Sequence, residues 1–154
     1  MLVTRLALRD FRNIVSADIA PHPHFTILEG ENGAGKTNVL ESLYLLANVR
    51  SFRPGKTGDL IRIGSERASV EAHVRRGEMK TDVGVSLEGS RKRFVVNGKN
   101  VHRFASYLGN VTAVIFSPGD IHLLQGPASE RRRFIDRVVC AAMPAQLDDL
   151  QQYE

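Results

Sequence analysis

The stretch Gly30-Glu31-Asn32-Gly33-Ala34-Gly35-Lys36-Thr37 fits the pattern G-x-x-x-x-G-K-[ST], and its flanks decide the fold. The apolar run Phe25-Thr26-Ile27-Leu28 comes before it and predicts a short strand. Residues 38–48 follow as a predicted helix with Leu40, Leu43 and Ala47 on one face. Strand, glycine-rich loop and helix in that order make the P-loop unit of an α/β domain. Glycines let the backbone turn tightly enough for consecutive N–H groups to face phosphate oxygens, and the helix start adds the positive end of its dipole. Lys36 supplies a point charge for the β- and γ-phosphates, and the Thr37 hydroxyl is placed for Mg²⁺. Residues Gly30, Glu31, Asn32, Gly33, Ala34, Gly35, Lys36 and Thr37 are therefore expected to hold a nucleoside triphosphate with its metal.

Upstream, residues 2–8 and 14–20 read as two strands joined by Arg9-Asp10-Phe11-Arg12-Asn13. Downstream, residues 49–58 form a polar connection containing Arg50-Ser51-Phe52-Arg53, after which the period changes to two. Ala68, Val70, Ala72 and Val74 alternate with polar residues, as do Met79, Thr81, Val83, Val85 and Leu87, so both runs predict half-buried antiparallel strands around Gly77. Residues 91–96 and 100–101 flank Asn97-Gly98, a strong hairpin signal. Residues 66–101 thus predict an antiparallel β-layer inserted after the first helix. A buried strand is expected at 111–116, then a helix with the apolar stripe Phe134, Ile135, Val138, Val139, Ala142 and Met143, ended by Pro144.

A hydrophobic fraction of 42% with 25% charged residues is ordinary for one globular domain. No run approaches the roughly 18 apolar residues of a membrane span, so no membrane partner is expected and the location reads as cytoplasmic. Cys140 stands alone, which excludes an internal disulfide, and its apolar helical setting suits a buried thiol. The histidines at 22, 24, 73, 102 and 122 lack metal-ligand spacing.

The net charge of +4 is uneven: residues 51–103 carry twelve basic against six acidic side chains. Arg75, Arg76, Lys80, Arg91, Lys92 and Arg93 fall at predicted strand ends, where two readings stand, a surface for a phosphate backbone or a sheet edge protected by charge. A phosphate-loop ATPase also needs a carboxylate at the end of an apolar strand. The run Val114-Ile115-Phe116-Ser117-Pro118-Gly119-Asp120 fits that poorly, so the chain reads as residues 1–154 of the N-terminal part of a longer protein, ending before the second carboxylate.

Five blocks now stand together: Phe11-Arg12-Asn13; the phosphate loop with Asn38, Leu40 and Glu41; Arg50-Ser51-Phe52-Arg53; Phe116-Ser117-Pro118-Gly119-Asp120; and Ser129-Glu130-Arg131-Arg132-Arg133-Phe134-Ile135-Asp136. In this order, over essentially the whole chain, they resemble the RecF family of bacterial DNA replication and repair proteins. The resemblance implies the N-terminal lobe of an ABC-type ATPase head, related to structural-maintenance-of-chromosomes ATPases, that binds ATP and Mg²⁺ and dimerises on DNA. It implies recombinational repair, replication restart and the SOS response to DNA damage, on single-stranded, duplex or gapped DNA, with RecO and RecR as partners. It also implies weak ATPase activity in the full-length family and negligible hydrolysis by this chain alone, because signature motif and Walker B acid lie further along. Carried over by residue, Arg12 and Asn13 would reach nucleotide phosphates, Asp120 would stand near the metal, and Arg50, Arg53, Arg131 and Arg132 would touch DNA or a second subunit. Arg91, Lys92 and Arg93 are candidates for the same contacts. A different class, a small-molecule kinase or metabolic P-loop NTPase, would want an acceptor pocket and a full set of catalytic carboxylates in one chain.

Overall fold

The structure, a computed structural model, describes residues 1–116, 126–129, 131–132, 134–135 and 138. Contacts divide the chain into two units, Met1–Ala113 and Val114–Glu154. The first holds a six-stranded antiparallel sheet in the order β2-β1-β3-β4-β5-β6. Its strands are β1 (Leu2–Phe11), β2 (Ile14–Ile19), β3 (Arg67–Arg76), β4 (Met79–Glu88), β5 (Arg91–Val96) and β6 (Lys99–Val101).

Period-two alternation explains β3 and β4 directly. Ala68, Val70, Ala72 and Val74 are buried, and the register sets Ala68 beside Leu87, Val70 beside Val85 and Ala72 beside Val83. Those apolar side chains make one face, while Glu71, His73 and Asp82 make the other. Asn97 and Gly98 take φ of 49° and 76°, the left-handed pair that a tight hairpin turn requires. Residues 66–101 are continuous with the first hairpin, because β3 pairs along β1 from Leu2↔Arg75 to Arg9↔Ser69.

Helix α1 (Lys36–Asn48) covers the apolar face, packing Leu45, Leu46 and Ala47 with Leu6, Leu8, Phe11, Val70 and Val85 in one core. Burial of each such leucine stabilises by about 1.5–3 kcal/mol. The helix begins two residues before the predicted start, and the predicted face holds in part: Ala47 is buried in the core and Leu43 packs against it. Leu40 is 48% exposed and Leu43 half-buried, while Glu41, Ser42, Leu45 and Leu46 point inward. An apolar pattern passes over Glu41, yet a carboxylate enters the core readily once cations meet it there. At the far end Val49 turns left-handed at φ 59°, returns its N–H to Leu45 O at 2.8 Å, and accepts Lys92 Nζ at 2.8 Å.

Two predicted strands differ. Residues 25–28 join no ladder among the described residues, and Phe25 and Ile27 are exposed, Ile27 at 80%. Residues 111–116 are likewise irregular, with Val111 buried and Val114 and Phe116 exposed. Apolar sequence alone does not make a strand, since its N–H and C=O groups need a neighbouring ladder. β1 runs three residues longer than predicted, because Phe11↔Ile14 closes the hairpin over Arg12 and Asn13 alone. A short α2 (Phe104–Tyr107) follows the sheet and brings Tyr107 against Phe94, ring centroids 4.9 Å apart.

In the second unit residues 128–129, 131–132, 134–135 and 138 are helical, with Phe134, Ile135 and Val138 of the predicted stripe exposed. His122, Arg133, Val139, Cys140, Ala142, Met143 and Pro144 lie outside the described residues, as does Asp120. Among the described residues no helix is long and apolar enough to cross a membrane.

Candidate nucleotide-binding site

The phosphate loop reaches α1 through three glycines with positive φ, Gly30 at 147°, Gly33 at 85° and Gly35 at 102°. At Gly35 a side chain would be strained by the left-handed φ, and its Cβ would crowd Asn13 Oδ1 at 3.1 Å and Ile14 Cγ1 at 3.2 Å. No side chain caps α1, and its first backbone bond runs from Val39 N–H to Gly35 O at 3.0 Å. The N–H groups of Lys36, Thr37 and Asn38 are therefore the unspent donors that every helix leaves at its start. Around them Gly30, Glu31, Asn32, Gly33, Ala34 and Thr37 are exposed, so the donors face an open cradle suited to an anion. Lys36 folds back over this loop and donates from Nζ to Gly30 O at 2.5 Å and Glu31 O at 2.8 Å.

Asn13 braces the loop from behind. Its Nδ2 donates to Gly33 O at 2.5 Å, and its Oδ1 accepts from Asn38 Nδ2 at 2.6 Å. Asn38 Oδ1 in turn accepts from Arg53, whose guanidinium also bonds Glu41. Glu41 is 0% exposed, and its carboxylate takes Arg12 Nε at 3.0 Å, Arg12 Nη2 at 2.6 Å, Arg53 Nη2 and the Ser51 hydroxyl. Burial pushes the Glu41 carboxyl up, but the bonds from Arg12, Arg53 and Ser51 and the charge of Arg12 outweigh it and hold the group below the usual glutamate range.

Arg12 sits at φ 56°, a conformation costly for a residue with a Cβ. Its surroundings over-determine it. The Arg12 N–H donates to Leu60 O at 2.8 Å, Nη1 to Asp59 O at 2.8 Å, and neighbouring Phe11 bridges to Ile61. Arg62 fastens the same corner by donating Nε to Asp10 Oδ1 at 2.6 Å.

The predicted site residues thus divide. Residues 30–37, Arg12, Asn13 and Arg53 come together around the start of α1. Arg50 is exposed beyond its far end. Arg91 and Arg93 flank the β4–β5 turn, Arg93 at 3.6 Å from Glu88, whereas Lys92 is turned to the end of α1. Arg131 and Arg132 are exposed in the second unit, where Arg131 Nη1 donates to Gly126 O at 3.0 Å. Among the described residues no group of three metal-ligating side chains occurs, and Thr37 is exposed at the start of α1. A concavity of about 260 Å³ over Gly84, lined by Ser69, Glu71, His73, Asp82, Ser86 and Val95, includes no phosphate-loop residue. It therefore offers that loop no acceptor pocket. Sequence reading gave Asn38, Glu41 and Ser51 no role. The available signal was an acid inside an apolar helical run with Arg50-Ser51-Phe52-Arg53 soon after it.

Comparison with known proteins agrees with this geometry. The chain is 40% identical over 99% of its length to the DNA replication and repair protein RecF of Trichlorobacter lovleyi, and 35% identical over 99% to that of Myxococcus xanthus. It spans 42% and 40% of those proteins, about two fifths of their length. The solved structure of the recombination mediator protein RecF-ATP superposes with a TM-score of 0.85 at 28% identity, over 98% of this chain and 42% of that one. The SMC head domain from Thermotoga maritima, at 22% identity and a TM-score of 0.56 over 66% of this chain and 39% of that one, shares the fold. The kinase expectation gains no support from these similarities. Residues 2–115 match the family described as RecF/RecN/SMC N terminal domain, and the chain belongs to that family.

Proposed function

We propose that this chain is the nucleotide-binding part of an ATP-dependent DNA-binding protein of recombinational repair and replication restart. One observation carries the reading: three uncapped helix N–H groups, a lysine and an exposed threonine hydroxyl converge on one open loop braced from behind by Asn13. That set suits a polyphosphate, with the backbone donors on its oxygens and Lys36 exchanging its loop carbonyls for them. Thr37 would hold Mg²⁺, which when bound neutralises phosphate charge. Similarity to a protein solved as RecF-ATP supports ATP as the nucleotide.

DNA is the second ligand in this reading, duplex or gapped, with Arg50, Arg91, Arg93, Arg131 and Arg132 as contacts and a nucleotide-dependent homodimer presenting them. RecO and RecR are the partners suggested by similarity to a recombination mediator protein of the RecFOR pathway. A cytoplasmic location fits this work.

The test is titration of ATP–Mg²⁺ into the chain and into Lys36→Ala, each with and without a DNA duplex at several salt concentrations. Lys36→Ala should lose on the order of a hundredfold in affinity, the worth of two charge-assisted hydrogen bonds. DNA affinity should fall steeply with salt as counterions are released. Equal nucleotide affinity in the two proteins overturns the site, and salt-insensitive DNA binding overturns the partner.

A further inference from the structure

Glu41 is a fully buried carboxylate hydrogen-bonded to Arg12, Arg53 and Ser51, and it anchors an unbroken series of polar contacts ending in the phosphate loop. From Glu41 the contacts pass to Arg53, from Arg53 to Asn38 Oδ1, from Asn38 Nδ2 to Asn13 Oδ1, and from Asn13 Nδ2 to Gly33 O. The end of the series matters because a peptide is planar, with its C=O and the following N–H pointing in opposite directions. Asn13 holds the oxygen of the Gly33–Ala34 peptide, and the N–H of the same peptide goes to Glu31 O at 3.2 Å. One side-chain amide therefore fixes the orientation of the peptide at the crown of the loop.

The other arm of Glu41 reaches Arg12, whose strained φ and bond to Asp59 O tie the β1–β2 turn to the connection after α1. Asn13 follows Arg12 directly, so the carboxylate restrains Asn13 from both sides, through Arg12 along the backbone and through Asn38 across the helix start. A single negative charge beneath two guanidiniums also keeps their combined charge from being left unpaired under the cradle.

We infer that Glu41 is a positioning residue for the phosphate loop, acting through Arg53, Asn38 and Asn13 on the Gly33–Ala34 peptide and thereby on affinity for the nucleotide's phosphate groups. This rests on the nucleotide reading given above. The test compares ATP–Mg²⁺ binding, unfolding midpoint and the Ala34 amide resonance recorded without nucleotide, in the wild-type chain, Asn38→Ala, Glu41→Gln and Glu41→Gln/Arg53→Met. Lys36→Ala serves as the reference.

Asn38→Ala cuts the series while leaving the buried ion pairs in place. It should shift the Ala34 resonance and weaken nucleotide binding by on the order of tenfold, the lower end of the loss seen when the outer partners of metal ligands are removed, with the midpoint little changed. The double variant returns the cluster to its wild-type net charge, so its midpoint should recover in part relative to Glu41→Gln while its nucleotide affinity stays low. An Ala34 resonance and an affinity that both match wild type in Asn38→Ala and in the double variant overturn the inference. Should Lys36→Ala bind nucleotide like wild type, the site reading falls instead. The Ala34 resonance still decides the positioning role in that event.

Discussion

The phosphate loop is flanked by two segments that both carry apolar residues and end up in opposite conditions. On its C-terminal side α1 sinks Leu45 and Leu46 into the core and buries Glu41 beneath Arg12 and Arg53. On its N-terminal side residues 25–28 pair with no described strand and leave Phe25 and Ile27 exposed. The difference teaches that, of the loop's two flanks, the helix side is the one anchored in the core. A helix satisfies its own backbone and needs only a surface to bury one face, whereas a strand needs a neighbour for every second N–H and C=O.

If the helix side carries the loop, Glu41→Gln should be the most damaging of three substitutions. Removing the charge from a buried ion pair leaves two guanidiniums uncompensated and costs about 3–5 kcal/mol, read by urea unfolding at pH 7. The penalty is pH-dependent with a defined sign. Because the native state holds the Glu41 carboxyl below its usual value, its contribution is fully present above about pH 4.3, the unfolded value, and is lost as pH falls through the lower folded value. The gap between wild type and Glu41→Gln should thus stay constant near neutrality and close in strong acid, and a gap that persists there would contradict the assignment.

Leu45→Ala comes next, at about 2–5 kcal/mol for a fully buried leucine whose cavity the sheet cannot collapse to fill. Ile27→Ser should sit at the bottom, within about 0.5 kcal/mol of wild type as for other exposed positions. A loss at Ile27 as large as that at Leu45 would erase the contrast between the flanks.

How far the sequence could be read follows the same physics. β3, β4 and the Asn97-Gly98 turn were legible because each rests on a local rule: alternation over ten residues, and two backbone positions needing positive φ. Residues 25–28 and 111–116 have the composition of strands but depend on partners that no local pattern specifies. In α1 the length was nearly right and the face only in part, since Ala47 and Leu43 meet the core but Glu41 also enters it on account of Arg12 and Arg53, 29 and 12 positions away. Within the site, residues 30–37 were legible as a motif because backbone geometry and chemistry coincide there. The brace formed by Asn13, Asn38 and Glu41 is a matter of side chains meeting across elements, and hydrophobic periodicity carries no trace of it.

Lys36 folded onto Gly30 O and Glu31 O has a thermodynamic corollary. A cation already resting on its own backbone acceptors has given up part of its hydration and rotamer freedom during folding, so an arriving anion is asked for a partner swap instead of a fresh capture. The enthalpy of that exchange is correspondingly small, and selectivity passes to ligands with enough negative charge, suitably spaced, to outbid two neutral oxygens.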